Sequence, residues 1–91
     1  MFNDRLRSAR IYRGYTLQST ADAIGVSLRA LQKYEGGEIE PSLTLLTEIA
    51  TFLNVPADFL LGRDDYLKSL GVSVDVPPEG PPRRPKPQKN H

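Results

Sequence analysis

The sequence contains no cysteine and no tryptophan. Disulfide frameworks, thiolate metal sites and cysteine nucleophiles are therefore excluded. Its single histidine is the last residue, His91, so neither a histidine-ligated zinc nor a histidine base is expected, and no cofactor is implied. No apolar run approaches the roughly 20 residues a bilayer-spanning helix needs. The N-terminus MFNDRLRSAR lacks a signal-peptide core, so the expected location is cytoplasmic. There remains a chain of 91 residues, 25% charged and 38% hydrophobic, enough for one small domain.

The net charge of +1 conceals a strong asymmetry. Residues 1–34 hold six basic residues (Arg5, Arg7, Arg10, Arg13, Arg29, Lys33) against Asp4 and Asp22, a net +4. Residues 35–62 hold Glu35, Glu38, Glu40, Glu48 and Asp58 with no Lys or Arg, a net −5. Residues 63–91 hold six basic and four acidic residues, a net +2. A polyanion is drawn to the first third and repelled by the middle.

Glycine and proline punctuate residues 1–62 into five expected helices, with no strand-like alternation. The first runs from Asn3, read as its N-cap, to Arg13, with Phe2, Leu6 and Ala9 on one stripe and Gly14 ending it. Thr16 caps a second, Leu17–Ile24, closed by Gly25. Ser27 caps a third, Leu28–Glu35, stopped by Gly36-Gly37. Pro41-Ser42 opens a fourth with a stripe of Leu43, Leu46, Ile49, Ala50 and Leu53. Pro56 starts a fifth, Ala57–Leu61. The fold class is all-α.

Beyond Gly62 the sequence DDYLKSL suits one more short helix. VSVDV alternates, placing Val72, Val74 and Val76 on one side. A lone strand is not stable alone, so this stretch pairs with a copy in another subunit, lies against the helices or stays loose. Residues 63–76 are thus read as an accessory segment and possible dimerisation element, with Leu67 and Leu70 adding to its apolar character. Six of the eight prolines fall between Pro77 and Pro87, and residues 77–91 read as a basic extension biased to polyproline geometry. Its PPRRP and RRPKP resemble ligands of proline-reading domains; a plain extension whose charge grazes DNA is the competing view.

The most informative stretch is TLQSTADAIGVSLRALQKYEGG, residues 16–37. Two short helices meet at Gly25-Val26-Ser27, where glycine supplies a left-handed backbone, Val26 plugs the corner and Ser27 caps the second of them. Ala21 is small where crossing helices approach. Such an arrangement reads as a helix-turn-helix. At about 100° per residue, Leu28, Arg29, Gln32 and Lys33 occupy an arc of roughly 140°. Leu31 and Tyr34 face the other way. A cationic, amide-bearing and partly apolar face suits a major groove, because Arg or Lys donates to guanine, Gln pairs with adenine and Leu meets a thymine methyl. An ordinary solvated helix face is the competing reading.

These pieces, with RLRSAR before them, AIGVS at the turn, YEGG and EPSL after, and IATFLNVPADFLLG at the end, resemble the Xre/Cro/CI (phage-repressor-like) helix-turn-helix family over residues 5–61. The resemblance implies a five-helix domain, usually a homodimer, on a double-stranded DNA operator with two-fold-related half-sites. By position it assigns base-edge contacts to Leu28, Arg29, Gln32 and Lys33. It assigns backbone contacts to Thr16, Leu17, Gln18 and Gly36, and a structural ion pair to Arg10 and Glu35. Three departures stand out. Leu17 occupies the place of a phosphate-clamping glutamine, Thr20 that of a hydrophobic residue, and Glu38 and Glu40 a loop that is often basic. Each carboxylate there weakens nonspecific affinity.

Arg5, Arg7 and Arg13 either solubilise the first helix or touch phosphate. Tyr12, Tyr15 and Tyr34 read as core or rim packing, and Asp64-Asp65 as a solvated cap rather than a catalytic pair. The expected function is a sequence-specific transcriptional regulator, a repressor, inserting the helix at 28–35 into the major groove. A rival keeps the fold as a protein-interaction module, antitoxin-like or antirepressor, with weak DNA binding. No enzyme is expected, since nothing assembles a nucleophile, a base and an anion hole.

Overall fold

The computed structural model describes residues 1–80. It places α1 at Phe2–Tyr12, α2 at Leu17–Ile24, α3 at Leu28–Glu35, α4 at Leu43–Leu53, α5 at Ala57–Leu60 and α6 at Asp64–Ser69. The caps explain most of these boundaries. Thr16 accepts from the Ser19 amide while the Ser19 hydroxyl accepts from the Thr16 amide, a reciprocal box that starts α2. Ser27 accepts from the Ala30 amide and Ser42 from the Leu45 amide, starting α3 and α4. Asn54 ends α4 in the left-handed conformation (φ 53°, ψ 51°), a geometry that asparagine tolerates better than most residues.

Asn3 does not cap α1. The helix begins at Phe2 after Met1, without a side-chain cap, and its first turn closes through the Arg5 amide on the Met1 carbonyl at 3.1 Å. Helical Phe2 joins Leu6 on the inward stripe and packs on the core, which outweighs a cap one residue later. The Asn3 amide group donates to Asp4 instead. The fifth helix stops at Leu60, with Leu61 as its C-cap, one residue short of expectation. The sixth helix takes the fold beyond the five that the resemblance implied.

The core draws from every helix: Leu6, Ala9, Ala21, Ile24, Leu31, Ile49, Ala50, Leu53, Phe59, Leu60 and Leu67, with Val55 between α4 and α5. Leu43, expected on the α4 stripe, is 83% exposed; it lies in the first turn, ahead of the covered stretch, and Leu45 and Leu46 pack against the core instead. Among the described residues one polar side chain, Thr20, is fully buried. Its hydroxyl donates to the Thr16 carbonyl at 2.9 Å.

Residues 72–80 form no strand. Val72 and Val74 pack on the core, and Val76 is exposed. Pro77, expected to begin a loose extension, is buried, so the packed chain continues to Gly80. Arg13 holds this strap. Its Nε donates to the Leu53 carbonyl at 2.8 Å, and its Nη2 to the carbonyls of Asn54 (2.9 Å) and Pro78 (3.1 Å). The Gly80 amide donates to the same Asn54 carbonyl at 2.7 Å. One guanidinium and one carbonyl thus hold Pro78 and Gly80, while Val72 and Val74 take the second of the three placements the sequence allows and lie against the helices. The Pro-rich motifs of residues 81–91 lie outside the described residues.

A second arginine locks α1 to α6. Arg5 donates through Nη1 and Nη2 to both Asp64 oxygens at 2.7 and 2.8 Å, and through Nη1 to the Phe59 carbonyl at 2.9 Å. Its guanidinium lies 4.4 Å from the Phe59 ring centroid. Asp64 is therefore a clamp rather than a solvated cap. The hydrogen bonds from Arg5 hold its carboxyl below the ordinary aspartate range, against the opposing effect of partial burial.

These contacts make stability testable at two positions. Thr20→Val removes a donor but orphans nothing, because the Thr16 carbonyl keeps the Thr20 amide at 3.1 Å and the Ser19 hydroxyl at 3.1 Å. Urea unfolding should therefore place the variant within about 0.5 kcal/mol of the parent or above it, and a loss beyond about 1.5 kcal/mol contradicts this. For Asp64 the folded carboxyl pKa is lowered, so its contribution is complete above the unfolded value near 3.9 and drains as pH falls through the folded value. The Tm gap between the parent and Asp64→Asn should be open at pH 6 and narrow progressively as pH falls below the ordinary aspartate range; a gap constant with pH contradicts the clamp.

Candidate nucleic-acid interface

α2 and α3 form a pair joined by three residues. Gly25 ends α2 at φ 74°, ψ 30°, a left-handed geometry that a Cβ would disfavour. Its own amide and that of Val26 close on α2 carbonyls, with Val26 bonding Ala21 at 3.0 Å. Val26 packs against the core and fixes the angle between the helices. Ala21 is fully buried, as a close approach requires.

α3 has two unlike faces. Leu31 is fully buried and Tyr34 packs against the core. Arg29 and Gln32 are exposed, Leu28 is 36% exposed and Lys33 is half-buried. Of the four side chains expected to read bases, two stand open to solvent, Leu28 stands at their edge, and Lys33 is set lower on the flank.

Beneath this face lies the ion pair. Arg10 Nε donates to Glu35 Oε2 at 2.6 Å and Nη2 to Oε1 at 3.1 Å. The two side chains are 11% and 8% exposed. The remaining Arg10 nitrogen, Nη1, donates to the Tyr15 carbonyl at 2.9 Å. One guanidinium therefore joins α1, the end of α3 and the loop that feeds α2.

The start of α2 is exposed at Thr16 and Gln18. Among the described residues the Leu17 and Gln18 amides have no acceptor within the chain, since the cap serves Ser19 and the Thr16 carbonyl serves Thr20. A helix start with unpaired amides attracts an anion. The Leu17 side chain packs on the core and so offers its backbone alone. The Gln18 amide group donates to Asp22 at 2.8 Å. Gly36 is exposed, and Glu38 stands over it: a Cβ there would lie 3.7 Å from Glu38 Oε2.

The structure separates the three arginines whose roles were open. Arg5 and Arg13 are committed to the clamps described above. Arg7 is exposed and, of the four arginines between positions 5 and 13, the one with no hydrogen-bond partner among the described residues. It lines a shallow hollow with Arg10, Leu17, Gln32, Glu35 and Gly36. Arg7 thus joins the start of α2 and the open face of α3 on one surface. Its spacing of three from Arg10 is the signal that could have found it, because such residues share a helix face. The tyrosines pack at the rim: the Tyr15 ring lies 4.5 Å from that of Phe52, and Arg13 sits 5.5 Å over Tyr12.

A family model described as helix-turn-helix matches residues 6–60. The chain belongs to the helix-turn-helix family. Within it, the chain is 43% identical over 61 residues to an uncharacterized SPbeta prophage-derived HTH-type transcriptional regulator, YonR, of Bacillus subtilis. That alignment covers 67% of this chain and 56% of the relative. It is 38% identical over 73 residues to the HTH-type transcriptional regulator AnsR of the same organism, covering 80% and 63%. It is 40% identical over 60 residues to the cryptic phage CTXphi transcriptional repressor RstR of Vibrio cholerae, covering 66% and 54%. The chain therefore spans little more than half the length of these relatives. Among the described residues no helix is long and apolar enough to cross a membrane, and no three His, Cys, Asp or Glu side chains gather as metal ligands.

The Arg10–Glu35 pair can be tested for what it contributes beneath α3. Glu35→Ala leaves a guanidinium nearly buried without its partner and should cost about 3 kcal/mol or more in urea unfolding. Replacing both by apolar residues, Arg10→Met with Glu35→Leu, should recover over half of that loss. A double variant no more stable than Glu35→Ala contradicts a geometric role for the pair.

Proposed function

We propose that this chain is the sequence-specific DNA-binding unit of a transcriptional regulator, a repressor acting in the cytoplasm as a homodimer without a cofactor and without enzymatic activity. The carrying observation is the open face of α3, where Arg29 and Gln32 project from a helix anchored by Leu31 below. With α3 in a major groove, Arg29 donates to guanine, Gln32 pairs with adenine, Leu28 meets a thymine methyl and Lys33 supports from the flank. The Leu17 and Gln18 amides, with Thr16, take one phosphate, and the Gly36 turn lies near another. Three relatives named as transcriptional regulators or repressors support the reading.

A dimer needs a self-complementary apolar surface. Residues 63–76 supply little of it, since Leu67 is buried and Val72 and Val74 are spent on the chain's own core. Tyr66, Leu70 and Val76 remain, at 45%, 60% and 51% exposed. A better surface is the groove of Phe2, Pro41, Leu43, Leu46 and Leu61, whose one charged lining residue is Glu40. The proposed homodimer uses this groove, and its operator has half-sites related by a two-fold axis.

Selection from a random duplex pool, run at two salt concentrations, tests both parts. It should return sites with two inverted half-sites, bound with a steep dependence on salt. Against the selected site, Arg29→Ala should lose about 1–3 kcal/mol and relax preference at one base pair per half-site. Unchanged affinity and preference would overturn the assignment of α3.

A further inference from the structure

The shallow hollow beside α3 brings three helices together. Arg7 and Arg10 reach it from α1, Leu17 from the start of α2, and Gln32 and Glu35 from α3, with Gly36 at its edge. Its charges do not balance. Glu35 is spent on Arg10, at 2.6 and 3.1 Å, and the remaining Arg10 nitrogen is taken by the Tyr15 carbonyl. Arg7 is exposed and has no hydrogen-bond partner among the described residues. The Leu17 side chain brings no polar atom to the hollow. One uncompensated guanidinium is left on its wall.

A helix with its side chains is about 10–12 Å across, and a major groove is about 12 Å wide. A helix in the groove therefore fills it, and the residues at its flank meet the sugar-phosphate wall rather than base edges. Gln32 belongs to both surfaces, since it is exposed on the open face of α3 and also lines the hollow. The wall that passes Gln32 meets Arg7 next. A guanidinium presents a planar fork of donors that matches phosphate oxygens, and a phosphodiester carries the one negative charge the hollow lacks. We propose that Arg7 binds one backbone phosphate per half-site, on the groove wall beside Gln32. The inference rests on the DNA-binding reading above.

Glu38 is the competing partner within the chain, because it stands over Gly36 at the hollow's edge. The test separates the two. Each phosphate of the selected duplex is replaced in turn by an uncharged methylphosphonate. Affinities of the full-length parent and Arg7→Gln are then compared at two salt concentrations, with and without Glu38→Gln. Arg7→Gln breaks no hydrogen bond among the described residues, so its urea unfolding should match the parent's. On the unmodified duplex it should bind about tenfold more weakly per half-site. The slope of log K against log salt should shrink by about 0.9 per half-site, with base preference unchanged. At one phosphate per half-site, neutralisation should weaken the parent and bring parent and variant level. The loss should persist in the Glu38→Gln background. No loss, or a loss that no single neutralised phosphate cancels, overturns the proposal while leaving α3's role intact. A loss that vanishes with Glu38→Gln overturns it in favour of the carboxylate. If the parent itself selects no site and shows no salt-dependent binding, the reading beneath it fails as well.

Discussion

The contact on which the rest depends is the guanidinium of Arg10. α3 has eight residues, a length at which a helix is marginal in water, so its orientation must come from the surface it rests on. Leu31 and Tyr34 supply the apolar anchor, and the last turn, beyond Leu31, is fixed further by charge. The two bonds from Arg10 to Glu35 fix the last turn, and the third to Tyr15 ties the same group to the entry of α2. Both ends of the interface are thereby referred to one side chain on α1. Nearly buried pairs of this sort add little net stability over apolar packing; their value is geometric.

The remaining basic residues divide along the same line. Half of the six cations in the first third serve the fold: Arg10 in this pair, Arg5 on Asp64 and Phe59, Arg13 on three carbonyls. The charge asymmetry visible in the sequence thus overstates the attraction offered to a polyanion. Arg7, Arg29 and Lys33 are left near the open face. Arg13 illustrates why counting charge misleads. Its fork satisfies the carbonyls at the end of α4, which no later amide of that helix can reach, and this use of a cation at a helix C-terminus is favourable whatever the ligand.

The features legible in the sequence are those that depend on neighbours a few residues apart. Thr16, Ser27 and Ser42 cap because a hydroxyl two or three residues ahead of a free amide can do little else, and Gly25 turns because only a residue without a Cβ enters that region cheaply. The outward arc of α3 follows from the pitch of a helix. Asn3 misled because its capping propensity is local, whereas the pull of Phe2 into the core is not. The clamp of Arg5 on Asp64 spans 59 residues and has no local signal. Likewise the alternation of Val72 and Val74 reads as a strand, since period two records which side is buried but not whether a strand, a helix pair or a side-chain fork covers it. Pro77 looked like the beginning of an extension because proline's missing donor suits solvent; buried under a fold that asks nothing of its nitrogen, it fits equally well.

The site's departures from the family resemblance have a common physical direction. Leu17 packs on the core, the Gln18 amide group is turned toward Asp22, and Glu38 stands over Gly36, so a phosphate placed at these points on the proposed reading would find apolar, occupied or acidic partners. On the proposed DNA-binding reading all three would lower the backbone term, which supplies most nonspecific affinity, while leaving Arg29 and Gln32 untouched. Specificity is a ratio of site-specific to nonspecific affinity, so weakening the second without the first raises it, at the expense of total affinity. Total affinity can then be restored by any cation that adds contacts without competing for the groove. Arg7, beside Gln32 and Leu17 and without a hydrogen-bond partner among the described residues, is the cation of the folded domain placed to do so.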